Sequence, residues 1–304
     1  IRDSVASRGL GDVYKRQMHL SAAAMAYGWS GQGGRPPGRI VLTGSQRSPD
    51  RGSSDASENL IAAVHWAANG PVPSGYRDSS VVILHAGSSD GKCAVLPGCA
   101  CRKYHSSRRD AFKSINQEPV AFIDIGREGP KINMEPEASD ARDESLSPMM
   151  FDESVRIAQF ISDAHLHPDM VQAAIDSGFE ALLFHGTGLG HLPISDPEND
   201  SLENTRLKVM LEDHISEGGV VVVVAQTIHG PINMDVYSKG REQREMGVIG
   251  HGSMCPPGSA LVKLHHLLSS NSGRQGVSEG CCLLYTSDAA DEGLGVDLGG
   301  RRII

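Results

Sequence analysis

Aromatic residues are scarce in this chain, 5% of 304 residues, which argues against a stacking platform for single-stranded nucleic acid. No stretch approaches the roughly 20 apolar residues that a membrane span needs. The longest β-branched block, Val220–Val224, has the length of a strand. Positive charge is also short: 28 Lys and Arg stand against 37 Asp and Glu. The net charge of −9 has the wrong sign for broad phosphate binding by this chain alone. Six Cys without a regular framework point to free thiols in a reducing cytoplasm. What is present is glycine, 35 residues, in a chain that is 39% hydrophobic and 21% charged. That mix suits a turn-rich globular α/β protein of one large domain or two ordinary ones.

The two ends carry a signal of another kind. DNA encoding Asp12–Gln17, read on the opposite strand in a shifted frame, encodes Cys282–Ser287. One short sequence in two orientations accounts for both, as the adapter of a sequencing library would. Ile1–Gln17 and Cys282–Ile304 are therefore expected to be translated adapter, with an insert of roughly Met18–Cys281 between them.

Within the insert, Met18–Gly28 reads as an Ala- and Met-rich helix, and Arg39–Thr43 as a short buried strand. Asp55 is placed to cap a helix carrying Leu60, Ile61, Ala63 and Val64, which Gly70-Pro71 ends. Val81–His85 and Val120–Ile125 read as strands, with Lys92–Ser107 irregular between them. Residues 135–150 are acidic and Ser/Pro-containing, a linker between units at 18–134 and 151–270. Beyond it come strands at Val155–Ile161, Ala181–Phe184 and Val220–Ala225, and helices at Pro168–Asp176, Leu202–Glu217 and Ala260–Leu268. The alternation predicts two α/β domains with largely parallel sheets and flanking helices.

Three constellations invite chemistry. Gly186-Thr-Gly-Leu-Gly follows a strand, but His191-Leu192-Pro193 stands where a dinucleotide loop would open its helix, so a tight turn is the better reading. Cys93, Cys99, Cys101 and His105 lack the paired spacing of a zinc site, and His265-His266 point apart on a helix; no metal site is expected. Arg102-Lys103 with Arg108-Arg109 is either a solvated basic loop or the setting of a lysine poised to move a proton, and spacing leaves both open.

The stretches Leu42-Thr-Gly-Ser-Gln-Arg-Ser-Pro-Asp, Ser53-Ser-Asp-Ala-Ser-Glu-Asn-Leu and Cys101-Arg-Lys-Tyr-His-Ser-Ser-Arg-Arg-Asp-Ala-Phe-Lys-Ser-Ile-Asn resemble the L-asparaginase superfamily. Gly186–His191, Val220–Gln226, Asn233-Met-Asp-Val-Tyr-Ser-Lys-Gly-Arg and Ala260-Leu-Val-Lys-Leu agree, in the right order. The Arg/Ser-rich forms of the first blocks look most like the asparaginase-like D-subunit family of archaeal-type glutamyl-tRNA(Gln) amidotransferases.

The resemblance implies a two-domain asparaginase-like fold, with the first domain incomplete. It also implies amide hydrolysis through a covalent intermediate, in which a Thr attacks the side-chain amide of glutamine or asparagine with the help of a second Thr, an Asp and a Lys. Lys103 matches that lysine, with an expected lowered pKa in a desolvated site. Ser45 matches a residue lining the substrate pocket, with Gln46 beside it. The family's Thr-Gly-Gly-Thr and Gly-Thr-Asp-Thr motifs do not occur in these residues, so the chain as it stands is expected to be inactive. No cofactor is implied for this chain. ATP and Mg²⁺ are implied for a tRNA-binding partner of the E type, to which ammonia from L-glutamine would pass for use on Glu-tRNA(Gln). The family further suggests a cytoplasmic homodimer core with no membrane association. A free-standing type I asparaginase and a non-catalytic binding or assembly protein remain the alternatives.

Overall fold

The structure, a computed structural model, describes residues 14–30, 36–73, 79–134, 147–198, 200–270 and 277. Most of the expected linker, 135–146, and the whole of 282–304 lie outside the described residues.

Helix α1 (Tyr14–Ser30) turns Met18, Ala22, Ala23, Ala26 and Tyr27 inward. That spacing is a helical stripe, and its small residues let the backbone lie close to its neighbours. The first turn of α1 falls in the stretch expected to be adapter. Strand β1 (Ile40–Thr43) pairs in parallel with β2 (Ser80–His85), and α2 (Ala56–Asn69) makes the crossover between them. β2 is buried throughout. Its odd residues Val81 and Ile83 meet Ala62, Ala63 and Trp66 of α2, while Val82 and Leu84 face Met18 and Ala22 of α1. A strand covered on both faces reads as a continuous apolar run, and this one does.

From β2 onward the sheet is antiparallel. It continues through β3 (Lys92–Pro97), then β6 (Ala121–Gly126) and β7 (Gly129–Asn133), in the order β1-β2-β3-β6-β7. Between β3 and β6 a small hairpin, β4 (Cys101–Lys103) with β5 (Phe112–Ser114), leaves the sheet. The expected parallel pairing is thus confined to β1–β2 in this sheet. The connections of β2 to β3 and of β6 to β7 are too short to hold a crossover helix. The stretch 92–107, read as irregular, contains β3 and β4. The break between them is Gly98, where a Cβ would stand 2.6 Å from Ser80 O and 2.9 Å from Ala22 O.

The second sheet, β10 (Val220–Ala225), β9 (Ala181–Gly186) and β8 (Ile157–Ile161), is parallel throughout. Its crossovers α3 (Pro168–Asp176) and α4 (Leu202–Ser216) cover one face through Val171, Leu207 and Leu211 against Leu182, Phe184, Val221 and Val223. α6 (Pro257–Ser269) covers the other with Ala260, Leu264 and Leu267 against Leu183, Val222 and Val224. Between them runs α5 (Ser238–Met246), which the sequence reading lacked. The Gly186–Gly190 segment closes on itself: Thr187 and His191 exchange backbone bonds of 3.0 and 2.9 Å. Gly190, at φ +97, sits where a Cβ would meet Ile232 Cδ1 at 2.5 Å. It is a tight turn, filled by the protein's own side chains.

Among the described residues, the contacts that join the halves include a helix pair and a side-chain bridge. α1 packs along α6, with Tyr27 OH 3.0 Å from Ser259 Oγ and 3.8 Å from Cys255 Sγ. Asn116, just past β5, has φ +58, a conformation Asn tolerates better than most residues. Its Nδ2 donates to Met254 O at 2.8 Å, and its Oδ1 accepts from Gly230 N at 2.9 Å.

Candidate active site

The carboxyl end of β1 runs into a loop, residues 44–55, that returns to the start of α2. Thr43 anchors its departure by donating from Oγ1 to Ile83 O at 2.7 Å on the neighbouring strand. Ser45, next in the loop but one, is buried. Gln46 turns its side chain toward β4, where Lys103 Nζ donates to Gln46 Oε1 at 3.0 Å. The ammonium also lies 5.5 Å from the Phe112 ring centroid on the paired strand β5. The fold thus brings together the three residues singled out from the sequence, Ser45, Gln46 and Lys103. The Gln46 carboxamide is only half used: its Nε2 is buried and has no protein acceptor. In open α/β sheets the ends of parallel strands, where loops diverge, are where ligands bind.

The hairpin that carries Lys103 sits between the two halves. Arg102, its neighbour, lies near His185 at the end of β9, and His185 is held below its ordinary pKa by burial and then by the Arg102 charge. The rest of the basic cluster resolves into pairs. Arg108 grips Asp110 with two bonds of 2.9 Å, and Lys113 reaches the same carboxylate at 3.0 Å. Burial works to raise the Asp110 pKa, but Lys113 and Arg108 outweigh it and hold the carboxyl below its usual range. Arg109 pairs with Asp90. Lys103 turns instead to the loop at 44–55.

Asp55 corrects the sequence reading. It occupies the N-cap position of α2, but its side chain makes no capping bond. Both carboxylate oxygens instead accept from Gln46 N at 3.0 Å, and Oδ1 accepts from Arg47 N at 2.9 Å. Behind it Asn59 Nδ2 donates to Asp55 Oδ2 at 2.9 Å and to Gly44 O at 2.8 Å, and His85 Nδ1 lies 2.7 Å from Asn59 Oδ1. Asn59 and His85 were missed. A buried polar residue beside Ala62 and Ala63 on the inner face of α2 was the available signal.

Cys93, Cys99, Cys101 and Cys255 are all buried. Burial, with Glu58 and Asp55 nearby, pushes the Cys93 thiol up to about 12. Burial and then Cys99 push Cys101 up as well. His105 Nδ1 is occupied by the backbone N–H groups of Ser107 and Arg108. Among the described residues, the grouping with metal-ligand character is Glu58, His85 and Asp90. Arg109 Nη1 reaches both Asp90 and, at 3.4 Å, His85 Nε2, so a guanidinium occupies the cation's place. No helix among the described residues is long and apolar enough to cross a membrane.

Comparison with known proteins gives this geometry a family. Residues 17–138 match the model of the asparaginase N-terminal domain, and residues 155–279 that of the glutaminase/asparaginase C-terminal domain. Similar proteins include the D subunit of the glutamyl-tRNA(Gln) amidotransferase of Thermofilum pendens, 34% identical over 90% of this chain and 55% of that protein. The D subunit from Methanopyrus kandleri is 35% identical over 83% of this chain and 50% of that protein. The chain therefore spans about half the length of the curated relatives it matches. Among solved structures, the thermostable L-asparaginase of Thermococcus kodakarensis superposes with a TM-score of 0.70 at 22% identity, covering 87% of this chain and 70% of that one. L-asparaginase I of Vibrio cholerae does so at 0.67 and 22%, covering 89% and 72%. At that identity the likeness is one of fold. With both of its domains matched in order, the chain belongs to the glutaminase/asparaginase family.

Proposed function

We propose that this chain is part of a glutamine amidohydrolase of the D-subunit type, which releases ammonia for a tRNA-dependent amidotransferase forming Gln-tRNA(Gln). The observation that carries this reading is the Lys103–Gln46 contact at the carboxyl end of β1, with the carboxamide nitrogen of Gln46 left over. The names of the relatives support the amidotransferase setting.

The chemistry asks for a positioned proton carrier. A hydroxyl nucleophile attacks an amide efficiently only if its proton has somewhere to go and the leaving amine can collect one. Lys103, half-buried and held at a fixed point by Gln46, is the described group suited to that role. Gln46 Nε2 is a buried donor available to a carboxylate or carbonyl oxygen of the substrate, and Ser45 lines the same loop. The family's threonine motifs are not within these residues, so the chain alone is expected to show no turnover and the reaction is to be measured on the full-length parent. ATP, Mg²⁺ and most of the tRNA contact belong in this reading to an E-type partner, with two copies of the present chain at the centre of a cytoplasmic assembly.

The test is glutaminase activity of the full-length parent with its partner, before and after Lys103→Ala. A loss of at least about a hundredfold is expected, the scale of a general acid–base group. Turnover that survives the substitution sinks the assignment. Strong asparaginase activity without partner or tRNA would instead favour a free-standing asparaginase.

A further inference from the structure

The buried polar chain behind the substrate-side loop is more than packing requires. Asp55 is fully buried, and a carboxylate taken out of water is costly unless donors surround it. It has them in Gln46 N, Arg47 N and Asn59 Nδ2, all at 2.9–3.0 Å. None of those bonds caps the helix on which Asp55 sits. Two of the three hold the loop that presents Gln46.

The chain continues outward with a fixed polarity. Both Asn59 amide hydrogens are committed, to Gly44 O and Asp55 Oδ2, so Asn59 Oδ1 must accept and His85 Nδ1 must donate. His85 is buried, and its Nε2 lies 3.1 Å from Glu58 Oε2 and 3.4 Å from Arg109 Nη1. Glu58 is tied in turn to Gly91 N at 2.9 Å, and Arg109 to Asp90. From α2 and its N-cap come Asp55, Glu58 and Asn59, from β2 His85, and from the loops Asp90 and Arg109. Every one of them points at the next, and the line ends on Gln46 and, through its side chain, on the Lys103 ammonium.

We infer that Asp55, backed by Asn59 and His85, is a positioning residue: by clamping the Gln46 and Arg47 amides it fixes the Gln46 carboxamide and thereby the place of the Lys103 ammonium. The inference deepens the function proposed above and rests on that reading of Lys103. A cap at this position would stabilise α2 and leave Lys103 indifferent, whereas a clamp ties Lys103 to a residue it does not touch.

The first measurement needs no variant. Amide exchange in this chain should show Gln46 and Arg47 about a hundredfold slower than the neighbouring amides of Ser48, Asp50, Gly52 and Ser53, since a clamped amide opens only with its structure. Equal rates overturn the inference. The second follows the Lys103 side-chain carbon by NMR through a pH titration, in the wild type and in the folded fraction of Asp55→Asn and Asn59→Ala. A displaced midpoint is expected in both variants, and an unmoved midpoint in either overturns the clamp. If Asp55→Asn does not fold, Asn59→Ala and the exchange rates still decide. In the full-length parent, Asp55→Asn should lower kcat with a smaller change in KM, which a purely structural role would not separate. Failure of the function is distinguishable: parent turnover that survives Lys103→Ala defeats the catalytic reading and leaves the exchange and titration results standing.

Discussion

Lys103 and Gln46 lie 57 positions apart in the chain, yet the ammonium of one donates to the carboxamide oxygen of the other at 3.0 Å. A neutral acceptor holds a lysine in place without adding a negative charge that would fix its proton. Gln46→Glu keeps the reach but supplies that charge. In the full-length parent it is expected to cut kcat by roughly ten- to a hundredfold while leaving the fold intact. Steady-state kinetics with a thermal melt checks this, and unchanged kcat refutes it.

Tyr27→Phe should loosen the junction of α1 with α6. The Tyr27 hydroxyl is buried against Ser259 Oγ and Cys255 Sγ, so removing it leaves Ser259 short of a partner. A cost of about 1–2 kcal/mol is expected. Urea unfolding of the chain gives the value, and a loss below a few tenths would show that the contact contributes nothing.

Acid should weaken the chain through His266. Burial first, and then the charge of His265, push its pKa from 6.5 down to about 4. The unfolded chain therefore takes up this proton before the folded one does. Stability is full above pH 6.5, falls as the pH drops from there to 4, and levels off below. The total is about 3 kcal/mol. His185, His191 and His214 are also lowered, each mainly by burial, and add to the slope with the same sign. Denaturant midpoints at pH 7 and pH 5 measure the fall. His266→Phe should flatten it, and an unaltered slope would assign the effect elsewhere.

The four described cysteines should resist alkylation in the native state. All are buried, and thiols raised as far as those of Cys93 and Cys101 present almost no thiolate at neutral pH. Iodoacetamide followed by peptide mass spectrometry should find Cys93, Cys99, Cys101 and Cys255 unmodified until denaturant is added. Modification at native conditions on the timescale of free cysteine would contradict the packing around them.

Sequence patterns revealed the elements whose burial leaves a periodic mark. Val220–Ala225 is apolar at every position because helices cover both faces of β10, and it reads as a strand at once. β3 is equally enclosed, but its Lys92-Cys-Ala-Val-Leu-Pro run neither alternates nor favours β-branched residues, and its second partner, β6, comes from some way along the chain. Asp55 shows the same limit at the site. Residue type and position both say helix cap, and only the approach of the 46–47 backbone, a tertiary event, turns the carboxylate away. Only the motif singles out Lys103, since spacing alone does not separate it from Arg108 and Arg109. What separates them is that Asp110 and Asp90 engage the arginines, while Lys103 donates to Gln46.

Asn116 commits both ends of a single carboxamide across the gap between the two sheets, one to Met254 and one to Gly230. A latch of this kind cannot slacken by degrees: rotating the side chain to release one end misaligns the other. The halves of the molecule are thereby bolted into a common frame next to the β4–β5 hairpin. Moving one half against the other beside that hairpin would therefore cost both bonds at once.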